Sequence, residues 1–114
     1  MIDVKKYFGG EYAKGEHDCW TLLQDIYQQE HDFTLPDFPI FGLTESDYPF
    51  YMVANMYVEK IPTPEVGCIV HRSGIIEHVG YCLDGKRYIH RTLNETRCDK
   101  IKAEKCEFYR ILKK

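Results

Sequence analysis

The sequence predicts an α+β fold, and three observations predict it. Trp20, Leu22, Leu23, Ile26 and Tyr27 recur at three- and four-residue spacings, the apolar stripe of a helix. From Gly67 onward, short runs rich in β-branched and aromatic residues replace that pattern. Asp84-Gly85 stands between two of those runs and is a strong hairpin signal. Helices therefore come first, and a meander of antiparallel strands follows.

Residues 1–18 hold Gly9, Gly10 and Gly15 around Tyr12 and read as a segment followed by a loop. The helix runs over about 19–30, with Asp18 as N-cap and His31 at its C-terminus, where a positive charge is favourable. Pro36 and Pro39 make residues 32–45 loop-like. Residues 46–58 are rich in large side chains, and Ser46 or Asp47 can cap a second short helix before Pro62 and Pro64 break the chain. Strands are expected at 68–71, 75–83, 87–91 and 107–112. The aromatic group Tyr48, Phe50, Tyr51 and Tyr57 reads mainly as core.

The length of 114 residues supports one domain over 1–114 with a core of its own. An apolar share of 44% and a charged share of 29% are those of a globular chain, so disorder, collagen and coiled coil are excluded as the main architecture. Eighteen acidic residues against fifteen basic ones leave a net charge of −3, which argues against a nucleic-acid partner bound through its phosphates. No apolar run approaches the roughly eighteen residues of a membrane span. The N-terminus shows no apolar leader, so synthesis and retention in a cytosol are expected unless the protein leaves as part of a larger assembly. Five cysteines without a leader are expected to be thiols. Cys68 and His71 are three apart, and on a strand they face opposite sides, so no metal site is expected. No cofactor is expected either.

Chemistry centres on Cys19. A helix N-terminus stabilises a thiolate, and the thiolate is the nucleophile, although Asp18 beside it opposes that charge. The hairpin carries His78 and His90. One imidazole can take the thiol proton and return it to a leaving amine, and a second polar group can orient that imidazole. Geometry sets a condition. A two-residue turn puts His78 and His90 on opposite faces of the hairpin. A three-residue loop, Asp84-Gly85-Lys86, makes them diagonal neighbours about 7–8 Å apart on one face.

The stretch from His17 through Asp18-Cys19-Trp20 to Tyr27 resembles the nucleophile helix of NlpC-type cell-wall cysteine peptidases, and its Asp-Cys-Trp form most resembles their phage tail-tip branch. The stretch His78-Val79-Gly80-Tyr81 through Asp84-Gly85-Lys86 to Ile89-His90 is similar to the family's second and third catalytic segments, including the interval between the histidines. Val66-Gly67-Cys68-Ile69-Val70 resembles the strand that precedes them, and Leu35-Pro36-Asp37-Phe38-Pro39 again resembles the tail-tip branch. The resemblance covers most of residues 10–91 in order. It implies a small papain-like domain with the nucleophile helix packed on an antiparallel sheet. It also implies Cys19 as nucleophile, His78 as base and then acid, His90 as orienting residue, and the Cys19 backbone N–H in an oxyanion hole.

Tyr12, Asp18 and Trp20 are the candidate substrate-binding residues. The sequence departs from the family where Trp20-Thr21 replaces the usual Ser-Gly, where His17 replaces an aromatic, and where Cys68 replaces an Asp. The implied substrate is a peptide bond of peptidoglycan stem peptides. The setting is a phage or prophage tail, with tail proteins as partners. Two alternatives stand beside this: a non-catalytic tail assembly module of the same fold, and a thiol acyltransferase or deamidase effector. His31 and His71 read as structural or exposed, and Lys100, Lys102 and Lys105 with Glu104 and Glu107 read as a solvated face.

Overall fold

Helix α1 spans Cys19–His31 and buries the stripe read from the sequence: Trp20, Leu22, Leu23, Ile26 and Tyr27 are all inside. It belongs to a computed structural model that describes residues 2–8, 19–35, 57–72, 78–92 and 95–112. Asp32 ends the helix in the left-handed region at φ 50°, a conformation that Asp tolerates better than most residues. The chain then turns back, and Phe33 N–H donates to the Tyr27 carbonyl at 3.1 Å. Ahead of the helix, a 3-10 turn at Val4–Tyr7 is capped by Asp3, whose carboxylate accepts from Lys5 N–H at 3.1 Å. Tyr7 fastens that turn to the rest: its hydroxyl donates to Glu30, and its carbonyl accepts from Arg91.

Six strands follow: β1 (Val58–Ile61), β2 (Ile69–Arg72), β3 (His78–Cys82), β4 (Arg87–Arg91), β5 (Thr96–Lys100) and β6 (Cys106–Ile111). They form one open antiparallel sheet in the order β1-β6-β2-β3-β4-β5. The expected meander holds over β2, β3 and β4, and β5 extends it beyond the expectation. After β5 the chain crosses the sheet, and β6 inserts between β1 and β2. The fold is thus α+β, with α1 packed on one face of the sheet.

Strand alternation sorts the side chains. Val58, Ile69, Val79, Tyr81, Leu83, Ile89, Tyr109 and Ile111 meet the helix in the main core. Ile61, Cys68, Val70, Cys82, Tyr88 and Phe108 form a second cluster on the helix-free face, with Ile101 and Cys106 from the crossing segment packed against it. Cys68 and His71 fall on opposite faces, as strand alternation requires.

Two strands escaped the sequence reading, and both are sheet edges. β1 alternates Val58 and Ile61 with exposed Glu59 and Lys60, and residues 46–58 had been read as helix. The part of that expected helix at 46–56, together with Tyr48, Phe50 and Tyr51, lies outside the described residues. β5 has Cys98 as its single apolar residue. Charged side chains on edge strands discourage pairing with other chains, and they also erase the apolar pattern that reveals a strand.

A turn sets how the helix docks. Cys68 N–H donates to the Glu65 carbonyl at 3.1 Å, with Gly67 at φ 86° in the position that needs a left-handed residue. Gly67 N–H donates to the Cys82 carbonyl, and Cys82 N–H donates to the Cys68 carbonyl, so Gly67 and Cys68 together face Cys82 as a bulge. The Gly67 carbonyl accepts from the buried Tyr27 hydroxyl at 2.5 Å. Burial and this environment keep the phenol protonated, its pKa raised well above the ordinary value. Beside it, His31 Nε2 meets Tyr81 Oη at 2.7 Å. The C-terminal end of α1 is therefore fixed over Tyr81 and Gly67. α1 packs mainly on β3, with less contact to β4.

Tyr27→Phe leaves the Gly67 carbonyl buried without its donor and is expected to cost about 1–3 kcal/mol. Urea unfolding checks this: the midpoint drops while the slope stays constant. An unchanged midpoint would show that the bond does not anchor the helix.

Candidate functional site

The hairpin register decides the first geometric condition. Gly80 pairs with His90, Tyr81 with Ile89 and Cys82 with Tyr88. Leu83 N–H then donates to the Arg87 carbonyl at 2.8 Å, which leaves Asp84-Gly85-Lys86 as a three-residue loop. Asp84 builds it. One carboxylate oxygen accepts from the N–H groups of Lys86 and Arg87 at 2.9 and 2.8 Å, the other accepts from Arg87 Nε at 3.1 Å, and Gly85 takes φ 83°. Those backbone donors hold the Asp84 carboxyl below its usual pKa. With this loop, positions 78 and 90 are diagonal neighbours on one face of the sheet.

Gly80 lets His90 occupy its place. A Cβ at Gly80 would lie 2.6 Å from the Ile89 carbonyl, 2.7 Å from the Tyr88 ring and 3.0 Å from the His90 Cβ. With hydrogen there instead, the His90 imidazole is only 2% exposed and stacks on Tyr88, with ring centroids 4.4 Å apart and planes 13° from parallel. His90 Nε2 lies 2.6 Å from Asp99 Oδ2. Arg97 holds the same carboxylate from its other side, Nε at 2.9 Å from Oδ2 and Nη2 at 3.0 Å from Oδ1.

The charges follow from this arrangement. Burial raises the Asp99 pKa, but the bonds from His90 and Arg97 outweigh it and hold the group below its usual value. Burial lowers the His90 pKa and outweighs the opposing pull of Asp99. His90 is thus a neutral imidazole beside a carboxylate, and a carboxylate only accepts. The proton must sit on Nε2, which assigns the acceptor lone pair to Nδ1. That is the tautomer an orienting imidazole needs if it is to accept a hydrogen bond from a second histidine.

The thiol lies elsewhere. Cys19 opens α1, is 1% exposed and belongs to the core cluster on the helix side of the sheet. His90 belongs to the other face, with Tyr88, Asp99 and Arg97. The structure does not bring Cys19 and His90 onto one face of the sheet. Trp20, expected to shape a subsite, is packed in the core at 3% exposure. Tyr12, Asp18 and the His78 side chain lie outside the described residues.

Sequence reasoning missed Asp99 and Arg97. The signal was present in Thr96-Arg97-Cys98-Asp99-Lys100, where strand alternation puts Arg97 and Asp99 on one face; the run lacks the apolar residues that mark a strand. The other cysteines are thiols as well. Cys68 and Cys82 are cross-strand neighbours at the bulge. The Cys68 thiol is hydrogen-bonded to Cys82 and buried, which raises its pKa, whereas the same bond and the Gly85 N–H at 3.2 Å lower that of Cys82. Burial raises the pKa of Cys98 and Cys106. Among the described residues, no group of three or more His, Cys, Asp or Glu is placed to hold a metal ion, and no helix is long and apolar enough to cross a membrane. In comparisons with known proteins, the chain matches no family model and no curated protein.

Two measurements check the His90 environment. Gly80→Ala forces a methyl against backbone and is expected to destabilise the fold by about 1–3 kcal/mol, with the His90 ring resonances displaced in NMR spectra. An unperturbed spectrum would refute the close approach. The second is thermal stability against pH. A histidine held neutral in the fold binds fewer protons than in the unfolded chain, so its contribution is complete above about pH 6.5 and declines as pH falls below that value. Asp99 contributes above about pH 3.9, and that contribution is lost on further acidification. His90→Gln is expected to flatten the Tm profile in the upper window and to leave the lower one.

Proposed function

We propose that this chain is a papain-like thiol hydrolase of the NlpC type that cuts a peptide bond in peptidoglycan stem peptides as part of a phage or prophage tail. The observation that carries the reading is the hairpin register, which makes positions 78 and 90 diagonal neighbours and leaves His90 with an acceptor nitrogen. The order of motifs and the packing of α1 on β3 and β4 support it.

In this reading Cys19 Sγ attacks the scissile carbonyl carbon, and the Cys19 backbone N–H faces the developing oxyanion. The C–N bond breaks as His78 returns the thiol proton to the departing amine. Water, deprotonated by the same imidazole, then splits the thioester to a carboxylic acid and restores the thiol. His90 orients His78, and Asp99 orients His90. The chemistry requires the buried Cys19 thiol, on the helix side, and position 78, which the register puts with His90 on the other face, to meet at one edge of the sheet.

The separation of Cys19 and His90 onto opposite faces favours a second reading, in which the domain keeps this fold as a non-catalytic module of tail assembly.

Iodoacetamide labelling of each cysteine between about pH 5 and 9, read by peptide mapping, separates the two. A hydrolase labels at Cys19 near pH 6, His78→Ala abolishes that reactivity, and Cys19→Ala releases no product from peptidoglycan fragments. Cys98 and Cys106 are slow internal references because burial suppresses their thiolates. Labelling of Cys19 at the rate of these two, with no product formed, overturns the hydrolase and leaves the assembly module. Transfer of the acyl group to an added amine instead of water assigns the thiol to an acyltransferase.

A further inference from the structure

The helix-free face of the sheet carries a groove of about 520 Å³ beside His90, lined by Arg72, Tyr88, His90, Thr92, Arg97, Asp99, Lys100 and Lys102. That volume suits a small-molecule ligand. Its charge is opposite to that of the protein. Its lining includes four cationic residues and one carboxylate, in a chain whose net charge is −3.

Arg97 pairs with Asp99 and Glu95, whereas the other three cations show no ion pair among the described residues. Several basic side chains elsewhere meet carboxylates: Lys60 meets Glu107, Arg87 meets Asp84, and Arg110 meets both Glu59 and Glu65. Within the groove Asp99 is already held by Arg97 and His90. Among the described residues no ion pair involves Arg72, Lys100 or Lys102. Arg72 instead interacts with the Tyr88 hydroxyl. The run of lysines read from the sequence as a solvated face therefore splits, with Lys100 and Lys102 lining the groove.

We propose that this groove binds the phosphoryl group of a small phosphorylated ligand, held by Arg72, Lys100 and Lys102. A single carboxylate neutralises one cation and offers two oxygens. A phosphoryl group carries nearly two negative charges and three acceptor oxygens, and so it can engage an arginine and two lysines together. Tyr88 and His90 stack on each other along β4 and are 1% and 2% exposed, so neither ring offers an open face to the groove. The recognised part is thus the anion and not a stacked aromatic base. The inference goes beyond the hydrolase reading and does not depend on it, because none of the three cations acts on the Cys19 thiol.

Titration of the full chain with inorganic pyrophosphate, followed by amide NMR shifts, tests it. Saturable shifts are expected at Arg72, Thr92, Lys100 and Lys102, weakening as salt rises. The exposed pair Lys100→Gln/Lys102→Gln should retain the fold and weaken binding about tenfold or more. Lys60→Gln removes the same kind of charge outside the groove and should change affinity less than about twofold. Glutarate, a dicarboxylate, should bind at least about tenfold more weakly than pyrophosphate. Shifts spread evenly over the surface, unchanged affinity in the double variant, or equal affinity for glutarate would each overturn the proposal. Pyrophosphate binding with an inert Cys19 would refute the hydrolase alone, and a reactive Cys19 without groove binding would refute the groove alone.

Discussion

Helix α1 is tied to the sheet by a fully buried polar contact, the Tyr27 hydroxyl on the Gly67 carbonyl, with His31 on the Tyr81 hydroxyl beside it. That carbonyl is available because Gly67 takes a left-handed conformation in a bulge, a place where a side chain would strain the backbone and press on the His31 ring at 3.3 Å. A hydroxyl buried without a partner is costly, so the helix cannot slide along β3 without losing this bond. The contact sets the direction of α1, and the direction sets where Cys19 comes to rest. The apolar stripe supplies most of the driving force, with Leu22, Leu23 and Ile26 fully buried, but apolar contact alone is non-directional. The tyrosine turns a greasy face into a defined orientation.

The other face of the sheet depends on a missing side chain. Because Gly80 has no Cβ, the Tyr88 and His90 rings close over it, and the imidazole becomes buried. A buried imidazole requires a partner, which Asp99 provides, and Asp99 in turn is kept ionised by Arg97. Three strands contribute to this short series of dependencies, β3, β4 and β5. The hydrogen-bonded order of the sheet therefore brings together residues that lie nineteen positions apart, from Gly80 to Asp99. The crossing segment after β5 then places Lys102 near the same spot and completes a basic groove in an acidic protein. Net charge governs behaviour at long range, whereas recognition of a ligand depends on local arrangement.

Helix α1, β2, the β3–β4 hairpin and β6 were legible because their signals are local. The stripe from Trp20 to Tyr27 specifies a helix by period, and Asp84-Gly85 specifies a turn by backbone preference. The loop length itself was legible only as a condition. Asp84 chooses three residues by accepting from both Lys86 and Arg87, a choice that the dipeptide alone does not dictate. Edge strands β1 and β5 were not legible, since exposed Glu59, Lys60, Arg97 and Lys100 carry no burial pattern. Asp99 went unseen for the same reason, although it is the partner that determines the tautomer of His90.

What the amino-acid sequence determined by itself was the α+β class, the helix that begins at Cys19, and the strand pair that bears His78 and His90. Each of these follows from spacing or backbone preference within a few residues. Only the tertiary structure decided which face of the sheet the helix covers, and with it the separation of Cys19 from His90. Alternation along β3 and β4 offers two faces, and either face could be the core. The choice falls to Val79, Tyr81 and Ile89 packing against α1 while Gly80 clears the other side for His90. That decision rests on contacts between segments far apart in the chain, and no local pattern contains them.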